Sequence, residues 1–413
     1  MNAPRPDSRP PLSSLDDALA ALLAQAAPLV QTEAVSPFDA DGRVLAEDLV
    51  SALQVPPQDN SSMDGYAVRS AEIADEGLLL PVSQRIPAGA APQPLQPGTA
   101  ARIFTGAPVP AGADAIVMQE DTESVEQGQV RILRVPGPGQ WIRRSGEDIT
   151  RGSTVLARGV RLGPAAQGLA ASVGRDRVLV ARRPRVALFS TGDELVMPGE
   201  VAPGAMKPGA IYNSNRFFLR SLLLRLGCEV EDLGIVPDRR DATVQALRQA
   251  SAGNDVILTS GGVSVGEEDH IKPAVQQLGT LDLWQIAMKP GKPFAHGRIG
   301  AAHFIGLPGN PVSSFVTFLL LVRPFLLKLQ GATQLAPTAI ELPAHFDWPR
   351  ADKRREFLRA RRDDQGGLEL FPNQSSGVLT STAWADGLID NPAGKAIARG
   401  DPVRFLPLAE LMA

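Results

Sequence analysis

Two lysines, Lys289 and Lys292, flank a Pro-Gly turn in "MKPGKPF", downstream of a glycine-rich stretch, "SGGVSVGEED". Two ammonium groups on a stiff turn suit an anion. Gly261, Gly262 and Gly266 let the backbone approach a ligand, and Ser264 offers a hydroxyl. Successive backbone N–H groups leading into a helix N-terminus can hold phosphate. The stretch is not a Walker A loop, because no Lys-Ser/Thr follows the glycines, and it does not match the dinucleotide fingerprint. The plainer alternatives are a structural glycine turn and two solvated lysines. In "GLPGNPVSSF", Asn310 stands at an N-cap position and Pro311 at the first helical position, which gives another positive helix end; capping alone would also explain this pattern. Carboxylates recur nearby in the same pattern: Glu194 after Thr191-Gly192-Asp193, Asp238 after "LGIV", and Asp269 after the glycines. A hard divalent cation, most naturally Mg²⁺, would bridge Glu194, Asp238 and Asp269 to phosphate. The four histidines are scattered and suggest no zinc site. No Gly-x-Ser-x-Gly elbow or Cys–His pair argues for acyl transfer.

These residues need elements to position them. From residue 185 onward, apolar strands alternate with helices: "RVALFS", the Asn-capped helix of "NSNRFFLRSLLLRLG", "CEVEDLGIV", "RRDATVQALRQAS", "DVILTS", "DHIKPAVQQLG", and a long buried helix in "PVSSFVTFLLLVRPFLLKL". Buried strands alternating with helices predict an α/β layer fold. In such folds ligands bind beyond the carboxyl ends of the strands, where these motifs fall. Upstream, Ser14 and Asp17 form a capping box ahead of an Ala/Leu helix, and a second short helix is expected near residues 43–47. Residues 51–145 carry short β-like pieces between Pro/Gly turns, with no helical period. The chain therefore reads as multidomain. A discontinuous N-terminal helical domain (12–50 and 146–182) carries an inserted small β domain (51–145). A central three-layer α/β/α domain (183–330) follows, and then a small C-terminal β domain, barrel-like (335–413).

Composition narrows the class. With 413 residues the chain exceeds a single core. A formal net charge of -4 gives no global positive field for nucleic acid or an anionic membrane. A single cysteine, Cys228, excludes an intrachain disulfide and a zinc site built from several thiolates, and it fits a cytoplasmic setting. The polar, Pro-rich start has no secretory pattern. The longest strongly apolar run, residues 315–322, is too short to span a bilayer.

Seven segments, "NSSMDGYAV", "FTGAPVPAGADAIVMQED", "RRSGEDI", "STGDEL", "SGGVSVGEEDH", "MKPGKPF" and "GLPGNPVS", occur in an order that closely resembles the MoeA family of molybdopterin molybdotransferases, related to the gephyrin E domain. The resemblance covers nearly the whole chain after the first dozen residues. It implies insertion of molybdate into adenylylated molybdopterin with release of AMP, a need for Mg²⁺, and an elongated homodimer whose cleft is shared between subunits. It also implies transient contact with the molybdopterin adenylyltransferase and with acceptor molybdoenzymes, and neither nucleic acid nor membrane as partner. By position, the resemblance assigns catalytic roles to Asp64, Thr105, Asp148, Glu194 and Asp269. It assigns substrate contacts to Gly261, Gly262, Ser264, Gly266, Lys289, Lys292, Pro308, Asn310, Arg355 and Ser376, and metal contacts to Glu194, Asp238 and Asp269. Two positions depart from the family: Gln285 where many members have lysine, and Asp386 where many read "ANGLI". Rival readings are a molybdopterin adenylyltransferase and a non-catalytic molybdopterin-binding scaffold. The choice between molybdate and tungstate is open, since both are tetrahedral dianions.

Overall fold

The computed structural model describes residues 12–262 and 270–412. Ser264, Gly266 and Asp269 lie outside the described residues. The α/β domain is built on one six-stranded sheet. Its strands are β1 (Arg185–Thr191), β2 (Glu229–Val236), β3 (Val256–Ser260), β4 (Thr280–Gln285), β5 (Pro293–Ile299) and β6 (Ala302–Leu307), in the spatial order β2-β1-β3-β6-β5-β4. The first four in that order are parallel, β5 is antiparallel to β6, and β4 is antiparallel to β5. Strand periodicity then sorts the side chains. Val186, Leu188, Val256, Leu258, Ile305 and Leu307 face one core together with helices α1 (Leu15–Gln25), α2 (Asn215–Arg225) and α5 (Pro311–Leu329). Ala187, Phe189, Ile257 and Phe304 face the other core with α3 (Arg240–Ser251) and α4 (Ile271–Leu278). This is the three-layer arrangement that the apolar strands predict.

Helix α5 is long and apolar enough to cross a membrane by length and composition, yet 89% of its apolar window is buried inside the protein, so it serves as a core helix. A π turn widens it at Phe318–Val322. Pro324 follows immediately; it has no N–H for the carbonyl of Leu320, and its ring crowds that carbonyl. The capping box of α1 is present, with Ser14 Oγ accepting from Asp17 N at 3.1 Å and donating to Asp17 Oδ2 at 2.7 Å. The buried face of α1, Leu15, Ala18 and Leu22, joins the α/β core. Lys328 Nζ donates to Leu23 O at 2.8 Å.

The expected short helix at residues 43–47 does not form. Val44 and Leu45 make single bridges to Arg161 and Val180 instead, because buried Val44 and Leu45 gain more from pairing with neighbouring strands than from an isolated short turn. Strand Thr32–Val35 pairs with Val178–Ala181, and Leu49–Val50 with Thr154–Leu156, so the segments before and after the insertion share one small core. The insertion forms a six-stranded sheet of its own, and the C-terminal region a further sheet.

Across β5 and β6, His296 and His303 are 3% and 5% exposed, with His296 Nε2 and His303 Nδ1 3.2 Å apart and Phe325 of α5 against both rings. Burial pushes His296 down to about 4 and His303 down to about 3. Both are neutral when folded, whereas the unfolded chain takes up protons near 6.5. Their contribution is complete above pH 6.5 and is lost as pH falls towards 4. We expect urea stability to drop over that range by on the order of 2 kcal/mol per histidine. A H296Q/H303Q variant, measured in parallel, should lack that part of the acid dependence; equal slopes for the two proteins would contradict the assignment.

Candidate active site

The parallel strands deliver their carboxyl ends to one rim. There β1 ends at Thr191, β2 at Val236, β3 at Ser260 and β6 at Leu307. The turns that follow interlock. Gly261 N donates to Leu307 O at 3.0 Å, and Asn215 Nδ2 donates to Gly309 O at 2.8 Å. Gly261 (φ +94°) and Gly262 (φ +66°) hold conformations that L side chains rarely adopt, and a Cβ on Gly262 would collide with Ile271. The glycines therefore let the turn lie directly on Thr191 and α4. Pro308 is buried and Asn310 exposed. Asn310 is the N-cap residue of α5 but makes no side-chain cap bond, so its amide is not used in capping. The cap of α2 also differs from the expected Asn cap: Ser214 occupies it without a side-chain bond, while Asn213 Oδ1 accepts from Arg216 N at 3.2 Å.

Because β4 runs with the parallel strands and β5 against them, the connection carrying Lys289 and Lys292 lies at this same rim. A Cβ on Gly291 would collide with Thr317 Oγ1, so the lysine turn is pressed onto α5. Met288–Lys289 also forms a parallel ladder with Arg355 and Glu356 of the C-terminal sheet. Lys289 Nζ lies 3.1 Å from Glu356 Oε1 and 3.2 Å from Asp352 Oδ2. The Arg354 guanidinium, with its backbone N–H and Lys289, holds the Asp352 carboxyl well below the usual carboxylate range. Sequence reading missed these two acidic partners, which lie far downstream.

The C-terminal loop reaches the start of α5, where Ser376 O accepts from Val312 N at 3.0 Å. Arg355, assigned to substrate by resemblance, makes a two-pronged ion pair with buried Asp390 at 2.6 and 2.7 Å and reaches Asp16 of α1 at 2.9 Å. The cation that the structure brings to the Ser376 loop is Arg359. It is 1% exposed and bonded to Phe357 O, Ser375 O and Ser381 Oγ, and Gln374 Oε1 accepts from its backbone N–H. Burial pulls its guanidinium down to about 10. Of the two departures, Gln285 closes β4, its backbone carbonyl accepting from Ser13 N at 2.9 Å, and Asp386 Oδ2 accepts from Arg362 N at 2.9 Å. A cavity of about 1040 Å³ opens between α2 and the C-terminal region, lined in part by Asn213, Phe218, Phe315 and Asp386.

Exposed Glu194 and half-buried Asp238 follow the neighbouring strands β1 and β2. Asp193 Oδ1 accepts from Asp238 N at 3.3 Å, which ties the two exits together. Among the described residues no group of three or more His, Cys, Asp or Glu side chains is placed to hold a metal ion. The donor set is nevertheless the hard-oxygen type that Mg²⁺ takes, since it commonly uses one or two carboxylates together with substrate phosphates.

Asp64 and Thr105 meet at one end of the inserted domain, and Asp148 lies just beyond it, in the segment that returns to the N-terminal domain. Asp64 Oδ1 accepts from Thr105 N at 2.8 Å and from Thr105 Oγ1 at 2.7 Å. Strand Asn60–Ser61 pairs with Ile142–Arg143, and Asp59 accepts from Ser145 N and Arg144 Nη1. This fixes the loop that leads to exposed Asp148, whose N–H donates to Val55 O at 3.0 Å. Among the described residues no hydrogen bond or ion pair joins Asp64, Thr105 or Asp148 to the α/β rim.

The order of domains and the glycine-lined rim define a multidomain protein organised around a layered α/β domain whose strand exits form a ligand-binding edge. Three family models match in sequence: "MoeA N-terminal region (domain I and II)" over residues 13–174, "Probable molybdopterin binding domain" over 187–328, and "MoeA C-terminal region (domain IV)" over 341–408. A "Molybdopterin molybdenumtransferase" of Haemophilus influenzae is 42% identical over 361 residues, covering 86% of this chain and 88% of that protein. One of Nostoc sp. is 37% identical, covering 91% and 89%. The crystal structure of the molybdopterin biosynthesis moeA protein of Pyrococcus horikoshii OT3 superposes with a TM-score of 0.83 at 29% identity, over 96% of this chain and all of that one. The chain belongs to the MoeA family of molybdopterin molybdenumtransferases.

The backbone N–H and the hydroxyl of Thr105 hold the Asp64 carboxyl below its ordinary value. Thr105→Val removes the hydroxyl and keeps the backbone bond. We expect the Asp64 pKa to rise part of the way back towards 3.8, followed by carboxyl-carbon NMR titration; an unmoved value would remove Thr105 Oγ1 as a determinant of this site.

Proposed function

We propose that this chain joins molybdate to the dithiolene of adenylylated molybdopterin and releases AMP. The observation that carries the reading is the meeting of Lys289, the lysine turn, the α5 N-terminus and the Ser376 loop at one strand-exit rim, within a chain that matches its family over residues 13–174, 187–328 and 341–408. Phosphoanhydride cleavage calls chiefly for charge neutralisation and positioning. Lys292 and the outward N–H of Lys289 receive anionic oxygens of the substrate, and the α5 N-terminus, with Asn310 beside it, receives an oxyanion. The cavity beside α2 is large enough for a planar ring system. Glu194 and Asp238, with Asp269, would hold Mg²⁺, which when bound supplies positive charge to the phosphates. Asp64 and Thr105 of the inserted domain, and Asp148 just after it, act in this proposal from a second copy.

That second copy is part of the reading. Val30 and Phe38, on either side of strand Thr32–Val35 in sequence, are 93% and 97% exposed, large apolar side chains that a second copy would cover. We expect light scattering at low micromolar concentration to give the mass of a homodimer. Full activity at monomer mass would remove the shared cleft.

The test of function is AMP release from purified adenylylated molybdopterin, with and without molybdate and Mg²⁺. Asp269→Asn should lower metal-dependent release by about 100-fold, the equivalent of about 2.7 kcal/mol of transition-state stabilisation. Wild-type Mg²⁺ dependence and rate in the variant would remove Asp269 from the site. No release by the wild-type protein, or consumption of ATP without preformed adenylylated substrate, would replace this reading with the scaffold or adenylyltransferase one.

A further inference from the structure

Lys289 is held by the C-terminal domain through one buried carboxylate. Glu356 is 1% exposed, and its two oxygens are divided between different tasks. Oε1 faces Lys289 Nζ at 3.1 Å. Oε2 accepts from Trp348 Nε1 at 2.9 Å and lies 3.5 Å from Asn391 Nδ2. The indole and the amide hold the carboxylate in one orientation, and the parallel register Lys289↔Glu356 keeps the two backbones level. Asp352 Oδ2 lies on the same ammonium at 3.2 Å and is itself gripped by the Arg354 guanidinium at 3.0 Å. An ammonium has three N–H bonds in fixed tetrahedral directions. Two are engaged by Glu356 and Asp352, and among the described residues no third acceptor stands on Nζ. The Lys289 side chain is 40% exposed, so its third N–H has access from outside the network.

We propose that Glu356 is a positioning residue for the reaction: it orients Lys289 so that a single N–H is directed at an anionic oxygen of the substrate. The proposal rests on the function argued above. A flexible lysine at a rim is a diffuse point charge, and its side-chain entropy is lost at each binding event. A lysine already held on two sides loses little freedom when it meets its ligand. The pairing also makes the local group of Lys289, Arg354, Asp352 and Glu356 neutral as a set. It therefore recognises an oxygen through direction more than through net charge, in contrast with Lys292, whose side chain has no partner among the described residues. A catalytic contact of this kind strengthens in the transition state, so its loss falls on kcat more than on KM.

The experiment is a double-mutant cycle of Lys289→Ala and Glu356→Gln, with Glu356→Asp as the charge-conserving variant. AMP release gives kcat and KM, and urea denaturation gives the folded fraction. Glu356→Gln should lower kcat by about tenfold with KM within about threefold of wild type. The double variant should be no slower than Lys289→Ala, and Glu356→Asp should recover part of the rate. Calorimetric titration with inorganic molybdate and with AMP supplies a readout that needs no turnover. At least one of these anions should bind more weakly to Lys289→Ala, and Glu356→Gln should weaken the same anion without adding to the Lys289→Ala effect. Fully additive losses, losses that follow only the unfolded fraction, or binding of both anions unchanged in Lys289→Ala would overturn the role of Glu356. If wild type releases no AMP, the functional reading falls while the binding cycle still decides whether Glu356 acts through Lys289.

Discussion

Parallel pairing of β2, β1, β3 and β6 is the constraint from which the rest of the molecule follows. A parallel sheet with crossover helices buries both faces, so its strands must be apolar throughout, as Val186–Phe189 and Val256–Leu258 are. Polar chemistry is then confined to the ends. The carboxyl ends fall at one edge, and the following turns meet there whatever their separation in sequence. The glycines at 261 and 262 and the Asn215–Gly309 bond belong to that edge: they allow several turns to pack within hydrogen-bonding distance without side chains intervening.

The C-terminal domain is tied to this edge by backbone and charge together. The ladder between Met288–Lys289 and Arg355–Glu356 joins the two sheets, and Ser376 O closes on the first turn of α5. Arg355 fastens α1 and Asp390 at the same seam. A buried pair of this kind is costly to break, because the remaining charge loses both its partner and its water. Arg359 represents the other solution. It is buried without a carboxylate and is bonded to carbonyls and a hydroxyl, so its positive charge is uncancelled within the loop that carries Ser376. Arg355 thus serves the junction between domains, and Arg359 serves the loop.

The inserted domain obeys a different local rule. Its small core cannot bury long loops, so the Asp64 and Thr105 loops are held by short-range bonds between carboxylate, hydroxyl and backbone N–H. Both bonds fall on one oxygen of Asp64, Oδ1. Among the described residues the Asp64–Thr105 loops and the α/β rim are thus two separately bonded groups.

Much of this was legible in the sequence, because it depends on local chemistry. Apolar runs of strand length separated by amphipathic helices specify the layered α/β domain, and the Ser14–Asp17 box specifies the start of α1. Glycine and proline between short β-like pieces mark out the inserted domain. Ordered motifs identify the family and bring Lys289, Lys292, Asn310 and Ser376 forward as candidates. Tertiary structure decided the rest. Helical propensity at residues 43–47 yields to bridges with Arg161 and Val180, which a local reading cannot foresee. The apolar stripe of α1 states that the helix is buried but not against what; its partner is α5, some 300 positions away. Arg355, Phe357 and Arg359 share one strand face by alternation, so period alone cannot separate the ion-paired arginine from the buried one. Glu356 looks like an ordinary strand-edge acid until folding removes it from water and sets it against Lys289. Local sequence governs which backbone conformations and which faces form, whereas the identity of a charge's partner depends on which distant surfaces the packed core brings within 3 to 4 Å.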